Sequence, residues 1–283
     1  MTISVIIPCY NAEKTVERSI HSILGQSYKD IEVVVVDDCS TDSSADLVQR
    51  ISESDNRVRL IRHSENKGAG MARRTGIAHI RGEYMAFCDA DDYIKEDCIE
   101  RLVKAMTTHD VDIVAAGLIV VDEAGKVRSE RVPNYEIQEG MQKYMPNPQD
   151  TKRFFPTMLL RSSLWENVEY SNRRYAEDAP TIMKVLYYAR RILMLDYAGY
   201  FYVQNENSLT HSADEAKVAV FRALSMKDLW MFFKDRYKPL SNPNAFLMMY
   251  KKAEKMLKHD RKASLKYEAE MKEMRLCIKR INN

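Results

Sequence analysis

Asp89-Ala90-Asp91-Asp92 is a dense carboxylate cluster that follows directly on the apolar run Tyr84 to Cys88. Alternate carboxylates just past a buried strand can turn two oxygens toward one ion. Hard oxygen donors with no soft ligand among them suit Mg²⁺ or Mn²⁺. Such an ion can bridge a diphosphate and neutralise it as it leaves. The competing reading is an acidic turn that caps the next helix. Asp37-Asp38-Cys39-Ser40-Thr41-Asp42 follows the run IEVVVV in the same way. Asp38 there is placed to accept from a base N–H or a ribose hydroxyl, whereas Ser40, Thr41 and Asp42 are expected to cap the following helix.

Three further groups could contribute. Pro8-Cys9-Tyr10-Asn11 closes the first apolar run, and the Tyr10 ring offers a face on which a nucleobase can stack. Asn66 to Gly76 (NKGAGMARRTG) combines small residues at a helix start, which favour anions, with Arg73, which can reach a phosphate. Glu177-Asp178 in AEDAPTIMKVL stands at a helix entrance. Asp178 either caps that helix or serves as a general base for an attacking hydroxyl.

These groups need elements to position them. The pattern predicts strands at 3–7, 31–36, 58–62, 84–88 and 113–121, and helices at 12–25, 41–51, 70–80 and 98–106. Alternating strand and helix imply an α/β fold with a mainly parallel sheet flanked by helices. The carboxyl ends of such strands form a ligand-binding edge. Residues 122–152 read as an irregular excursion with one hairpin, 154–165 and 180–188 as helices, and 193–203 as one or two strands. From 213 onward the chain reads as helices, broken between Pro239 and Pro243. Neither a GxGxxG turn nor a GxxxxGK[ST] loop is present, so dinucleotide Rossmann and P-loop chemistry are not indicated.

The 283 residues carry 43 Lys+Arg and 41 Asp+Glu, a net charge of +2 that excludes a generally basic nucleic-acid binder. The charges are unevenly placed, with 17 basic and 7 acidic residues from Lys217 onward against 26 and 34 before it. Five cysteines without a CxxC pair argue against a disulfide framework or a zinc site and for a reducing, cytoplasmic setting. No apolar stretch is long enough to span a bilayer. The basic, aromatic tail is read as a helical cap or homo-oligomer contact, with attachment to an anionic membrane surface as a secondary property.

Taken in order, SVIIPCYN, VVVVDDCSTDSS, NKGAGMARRTGI, GEYMAFCDADD and AEDAPTIMKVL resemble the family 2 inverting glycosyltransferases of GT-A fold, of the bacterial cell-surface polysaccharide type. The likeness is strong over 1–120, adequate to about 210 and absent from the tail. It implies a GT-A domain over 1–213, with a nucleotide-sugar half at 1–120 and an acceptor half at 121–213, followed by a basic helical extension at 214–283. It implies that Tyr10 stacks on the base, most often uracil, with Pro8 and Glu13 nearby. Asp38 would accept from the base, with Asn66 on the adjoining loop, and Arg73 would contact base or diphosphate. Asp89, with Ala90 beside it, would approach ribose or sugar. Asp91 would bind Mn²⁺ or Mg²⁺, and Asp178, preceded by Glu177, would be the catalytic base. His211, in NENSLTHS, is assigned either to the metal shell or to a surface loop, and Gln204 or Asn205 replaces a basic residue common in relatives. The expected substrates are a nucleotide-sugar donor, chiefly a UDP-sugar, and a glycan or lipid-linked acceptor. The competing readings are a nucleotidyltransferase and a non-catalytic scaffold. PCYNAEKT lacks the Gly-rich, cationic loop that the first requires, and Asp91 and Asp178, which the second could lose, are both present.

Overall fold

The computed structural model describes residues 1–140, 155–168, 170, 178–204, 215–238, 242–258 and 260–282. The chain divides into two compact units, one of Met1–Tyr170 with Val185–Asn205 and the other of Ser171–Lys184 with Glu206–Asn283.

In the first unit β1 (Ile3–Cys9), α1 (Val16–Leu24), β2 (Ile31–Asp37), α2 (Ser44–Ser54), β3 (Val58–Arg62), α3 (Ala69–Ile77) and β4 (Tyr84–Phe87) alternate as expected. They are followed by β5 (Tyr93–Ile94), α4 (Cys98–His109), β6 (Ile113–Asp122), β7 (Val127–Arg131), β8 (Glu136–Glu139) and β9 (Met158–Arg161). Then α5 (Asp178–Tyr188), whose first residues to Lys184 belong to the second unit, leads into the long strand β10 (Arg191–Gln204).

The described strands form one sheet in the order β3-β2-β1-β4-β9-β6-β10-β5, with β7 also on β6 and β8 also on β10. From β3 to β4 every pairing is parallel. Beyond β4, the β6–β10 pair is parallel and the others are antiparallel. β10 shifts register against β6 between Met194 and Tyr200, so its two halves are aligned independently.

β2 is buried at all seven positions, as a strand covered on both faces must be. Alternation assigns its neighbour's side chains to opposite layers. Ile3, Val5 and Ile7 join the core beneath α1 and α4, with Ile20, Ile23, Leu102 and Met106. Ile6 points the other way, toward α3, where a Cβ on Gly76 would come within 2.4 Å of its side chain. Only glycine lets α3 lie this close to β1.

The segment 154–165 departs from its expected helix. Met158–Arg161 is a strand between β4 and β6, flanked by short 3-10 turns. A short apolar run is ambiguous between helix and strand by periodicity, and the gap in the sheet decides it. The helix expected at 41–51 begins only at Ser44.

The second unit contains α6 (Glu215–Phe233), α7 (Asn244–Leu257), α8 (Arg261–Lys266) and α9 (Glu268–Asn282). Val220, Leu224, Phe246, Tyr250, Leu257, Met271 and Met274 form its core, so several of the tail's apolar residues serve packing. Lys227 is buried beside Asp228 and Glu273. Among the described residues no helix is long and apolar enough to cross a membrane.

The α3–β1 contact is directly testable. Gly76→Ala should lower the unfolding free energy by about 1–3 kcal/mol through overpacking, despite the better helix propensity of alanine. Urea unfolding followed by circular dichroism measures the difference, and an unchanged midpoint would contradict the contact.

Candidate active site

The parallel strands β1, β2 and β4 end at one edge, in register from Ile3 with Ile31 and Tyr84. Two residues just past the strand ends, Asn11 (φ 49°) and Cys39 (φ 63°), are left-handed. Asparagine tolerates that backbone better than most residues. Asn11 also laces the two turns together. Its N–H donates to Ser40 Oγ at 3.0 Å, and its Oδ1 accepts from the Thr41 N–H at 2.8 Å. Asp42 accepts from the Glu13 N–H, and Glu13 in turn accepts from the Ser43 N–H, each at 3.1 Å. Asp42 therefore serves the helix start as expected, also accepting from the Ser44 N–H at 3.0 Å. Ser40 and Thr41 do not cap α2, because the helix begins only at Ser44 and their side chains bond Asn11, while the Ser40 N–H donates to Asp37. Pro8 is half-buried at the strand end, and the Tyr10 ring is 50 % exposed, leaving a face open.

Asp38 is buried and closely engaged. Its Oδ1 accepts from the Lys67 N–H at 2.9 Å and from His63 Nδ1 at 2.7 Å, and its Oδ2 accepts from the Gly68 N–H at 2.7 Å. His63 Nε2 lies 2.9 Å from Thr75 Oγ1 on α3. The carboxylate thus shapes the loop that bears exposed Asn66 and leads into α3. Gly68, at φ 89°, adopts the backbone this turn requires. Three of about four acceptor positions on Asp38 are used by the chain itself.

Arg73 is buried on α3 and donates from Nη2 to Asp89 Oδ1 at 2.7 Å. Its guanidinium also lies 5.9 Å from the centroid of the Tyr170 ring. Tyr170 is fixed in turn by Trp165, stacked at 5.9 Å, and by Phe87 and Phe155. The cation expected at base or diphosphate therefore stands beside Asp89, on an aromatic floor beneath β4.

Past Asp89 and buried Ala90, three features fix the acidic turn. Arg18 Nη2 donates to the Asp91 carbonyl at 2.6 Å, and its guanidinium lies over the Tyr93 ring. Asp92 is only 1 % exposed and accepts from the Tyr200 hydroxyl at 2.6 Å and from the Val203 N–H at 2.7 Å. The Tyr200 oxygen also accepts from the Asp89 N–H at 3.1 Å. One buried phenol on β10 thereby spans the turn from Asp89 to Asp92. The sequence reading missed this role, because Tyr200 is one of several tyrosines in its strand and nothing local marks it.

Burial and the neighbouring charge of Asp89 push the Asp91 carboxyl up to about 6. Burial, then Asp89 and Asp91, likewise push Asp92 well above the ordinary carboxylate range. A divalent cation would relieve this crowding, and the donors are hard oxygens, so the residues fit Mg²⁺ or Mn²⁺. Among the described residues no group of three His, Cys, Asp or Glu side chains could hold a metal ion.

The thiols nearby are not poised for nucleophilic work. Burial and the charge of Asp37 push Cys9 up to about 12, and burial pushes Cys88 well above its ordinary value. Cys39 is half-exposed on its left-handed turn.

The structure therefore places Pro8 at the end of β1, Arg73 on α3, and Tyr10, Glu13, Asp38, Asn66, Asp89, Ala90 and Asp91 on the loops that follow the strands of the first unit. Asp178 lies in the second unit, half-buried in the first turn of α5. Glu177 and His211 fall outside the described residues.

Comparison with known proteins bears on the family and the fold. The description Glycosyl transferase family 2 matches residues 4–167. The chain is 32% identical over 222 residues to the uncharacterized glycosyltransferase EpsJ of Bacillus subtilis, covering 74% of this chain and 62% of that one. It is 33% identical over 218 residues to the glycosyltransferase GlyG of Streptococcus pneumoniae, covering 73% and 72%. Residues 1–349 of S. aureus TarS, solved in complex with UDP-GlcNAc, superpose with a TM-score of 0.65 at 24% identity, covering 84% of this chain and 73% of that one. This likeness shows a GT-A fold. The chain belongs to glycosyl transferase family 2.

Proposed function

We propose that the protein is an inverting glycosyltransferase that moves a hexosyl or N-acetylhexosaminyl group from a UDP-sugar to a hydroxyl of a glycan or lipid-linked acceptor. Its place is in cell-surface polysaccharide synthesis, at the cytoplasmic face of the membrane. The observation that carries the reading is the acidic turn Asp89 to Asp92, fixed at the carboxyl edge of the parallel strands, the same edge that bears the exposed Tyr10 ring. The UDP-GlcNAc complex of TarS supports the choice of donor.

In this mechanism the Tyr10 ring receives the uracil, a contact worth about 1–3 kcal/mol. Pro8 borders that site, and Glu13 holds the neighbouring turn. Asp38 keeps the 63–68 loop in shape and offers its remaining acceptor position to the base, with Asn66 beside it. Arg73 holds Asp89 toward ribose or sugar and lends positive charge near the diphosphate. Asp91 would hold Mg²⁺ or Mn²⁺, and His211 is a candidate for the same shell. Such an ion would supply positive charge against the leaving diphosphate. Asp178, with Glu177 before it, takes the acceptor hydroxyl's proton as the oxygen attacks the anomeric carbon. Attack opposite to the leaving diphosphate inverts the centre, so an α-linked donor gives a β-linked product. No covalent enzyme intermediate forms, consistent with the suppressed thiols near the site.

A donor-hydrolysis and transfer screen over UDP-, GDP- and dTDP-sugars with Mn²⁺ tests the assignment. UDP-sugars should be turned over. Asp178→Asn should reduce transfer by about 100- to 10,000-fold, and Asp91→Ala should abolish the response to added metal. Unchanged turnover in both variants would overturn the mechanism.

The bridge across the acidic turn gives a separate measurement. Tyr200→Phe leaves Asp92 with one donor fewer and should lower the unfolding free energy by about 1–3 kcal/mol. It should also weaken Mn²⁺ binding as read by electron paramagnetic resonance. Wild-type melting together with wild-type binding would show that the phenol does not hold the turn.

A further inference from the structure

The second unit has a cationic surface that the proposed transfer reaction does not use. Residues 251–266 contain seven Lys and Arg against two acidic residues. On α7, Met248, Lys251, Lys252 and Lys255 recur at three- and four-residue spacing and are all exposed, so they share one outer face. Lys258 lies just past the end of this helix, and α8 adds Arg261, Lys262 and Leu265, again all exposed. Leu265 is 68 % exposed and Met248 59 %.

Both acidic residues of the segment are engaged locally. Glu254 accepts from the Tyr250 hydroxyl at 2.8 Å, and Asp260 caps α8 through the Ala263 N–H at 2.9 Å. Among the described residues, Lys251, Lys252, Lys255, Lys258, Arg261 and Lys262 make no ion pair. Like charges held this close repel one another until an anion is brought to them. A basin of about 710 Å³ between α7, α8 and α9, with Lys251, Lys255 and Lys258 around Leu265, is wide enough for a phosphate headgroup. Glu254 and Glu268 on its wall leave the local balance positive.

The exposed uncharged side chains distinguish among polyanions. A single-stranded nucleic acid requires aromatic platforms for its bases. Here Phe246, Tyr250 and Tyr267 are buried in the unit's own core, and the residues that protrude are an aliphatic and a thioether side chain. Cations surrounding a few protruding aliphatic groups match a surface of anionic phosphates over acyl chains.

We propose that the outer face of α7 and α8 docks on an anionic lipid bilayer, with the six unpaired cations on headgroup phosphates and Leu265 and Met248 at the acyl boundary. The inference rests on the reading above only in supplying a reason for the enzyme to be at a membrane, since docking needs neither donor nor acceptor.

Co-sedimentation of the full chain with vesicles, with no donor or metal present, tests it. Binding is expected to vesicles of phosphatidylglycerol and phosphatidylcholine in equal parts, and to fall in high salt. Vesicles of phosphatidylcholine alone should not retain the protein. The combined variant Lys251→Glu, Lys255→Glu, Lys258→Glu should lose about tenfold or more in partitioning, while its donor hydrolysis in solution stays at the wild-type level. Leu265→Ser, which changes no charge, should weaken binding several-fold and leave the salt dependence in place. It carries the test if the charge variant does not fold, as judged by thermal melting. Equal retention on both vesicle types, retention on neither, or undiminished binding by the folded variants would overturn the proposal. Vesicle binding without any transferase activity would uphold docking and overturn the proposed reaction instead.

Discussion

The geometry of the acidic turn depends on removing one carboxylate from water. Asp92 is buried beside two other acids, a placement that repulsion and desolvation both oppose. It persists because the Tyr200 hydroxyl and the Val203 N–H converge on its two oxygens. Both donors come from β10, more than a hundred residues away. The turn that carries Asp89 and Asp91 is thereby tied at both ends to that strand. Arg18 on α1 and Arg73 on α3 then complete the frame from opposite layers. The site is therefore assembled by tertiary structure around a local motif.

The same dependence explains what could be read in advance. The parallel strands were legible because IEVVVV and its counterparts are unbroken apolar runs, and the carboxylates stand at their ends. The loops were legible as sites of polar chemistry for the same reason. Individual roles were less so. Asp38 appeared as a ligand for a base, and the structure shows it chiefly shaping the loop from His63 to Gly68. Ser40 and Thr41 had the residue types of caps, yet Asn11, across the neighbouring turn, claims their hydrogen bonds. Hydrogen-bonding capacity is written in the side chain, but the partner is chosen by the fold.

Strand β9 shows the limit more sharply. Nothing in Met158–Arg161 distinguishes a strand from one helical turn. What decides it is the unfilled space between β4 and β6, strands that lie far earlier in the chain. The tail was legible in composition rather than in geometry. Its excess of lysine was evident from counting. That six of the cations share one surface and lack partners required the helices to be placed.

The shifted register in β10 has a consequence for how the enzyme can diversify. The strand's first half pairs with β8 and its second with β5, and the irregularity lies between them. It works as an expansion joint: length changes or drift on the β8 side can be absorbed there before they reach Tyr200. Descendants of this chain can therefore remodel the excursion around β7 and β8 while the phenol remains aimed at the acidic turn. Divergence of that kind would reshape one side of the sheet without disturbing the carboxylates on the other.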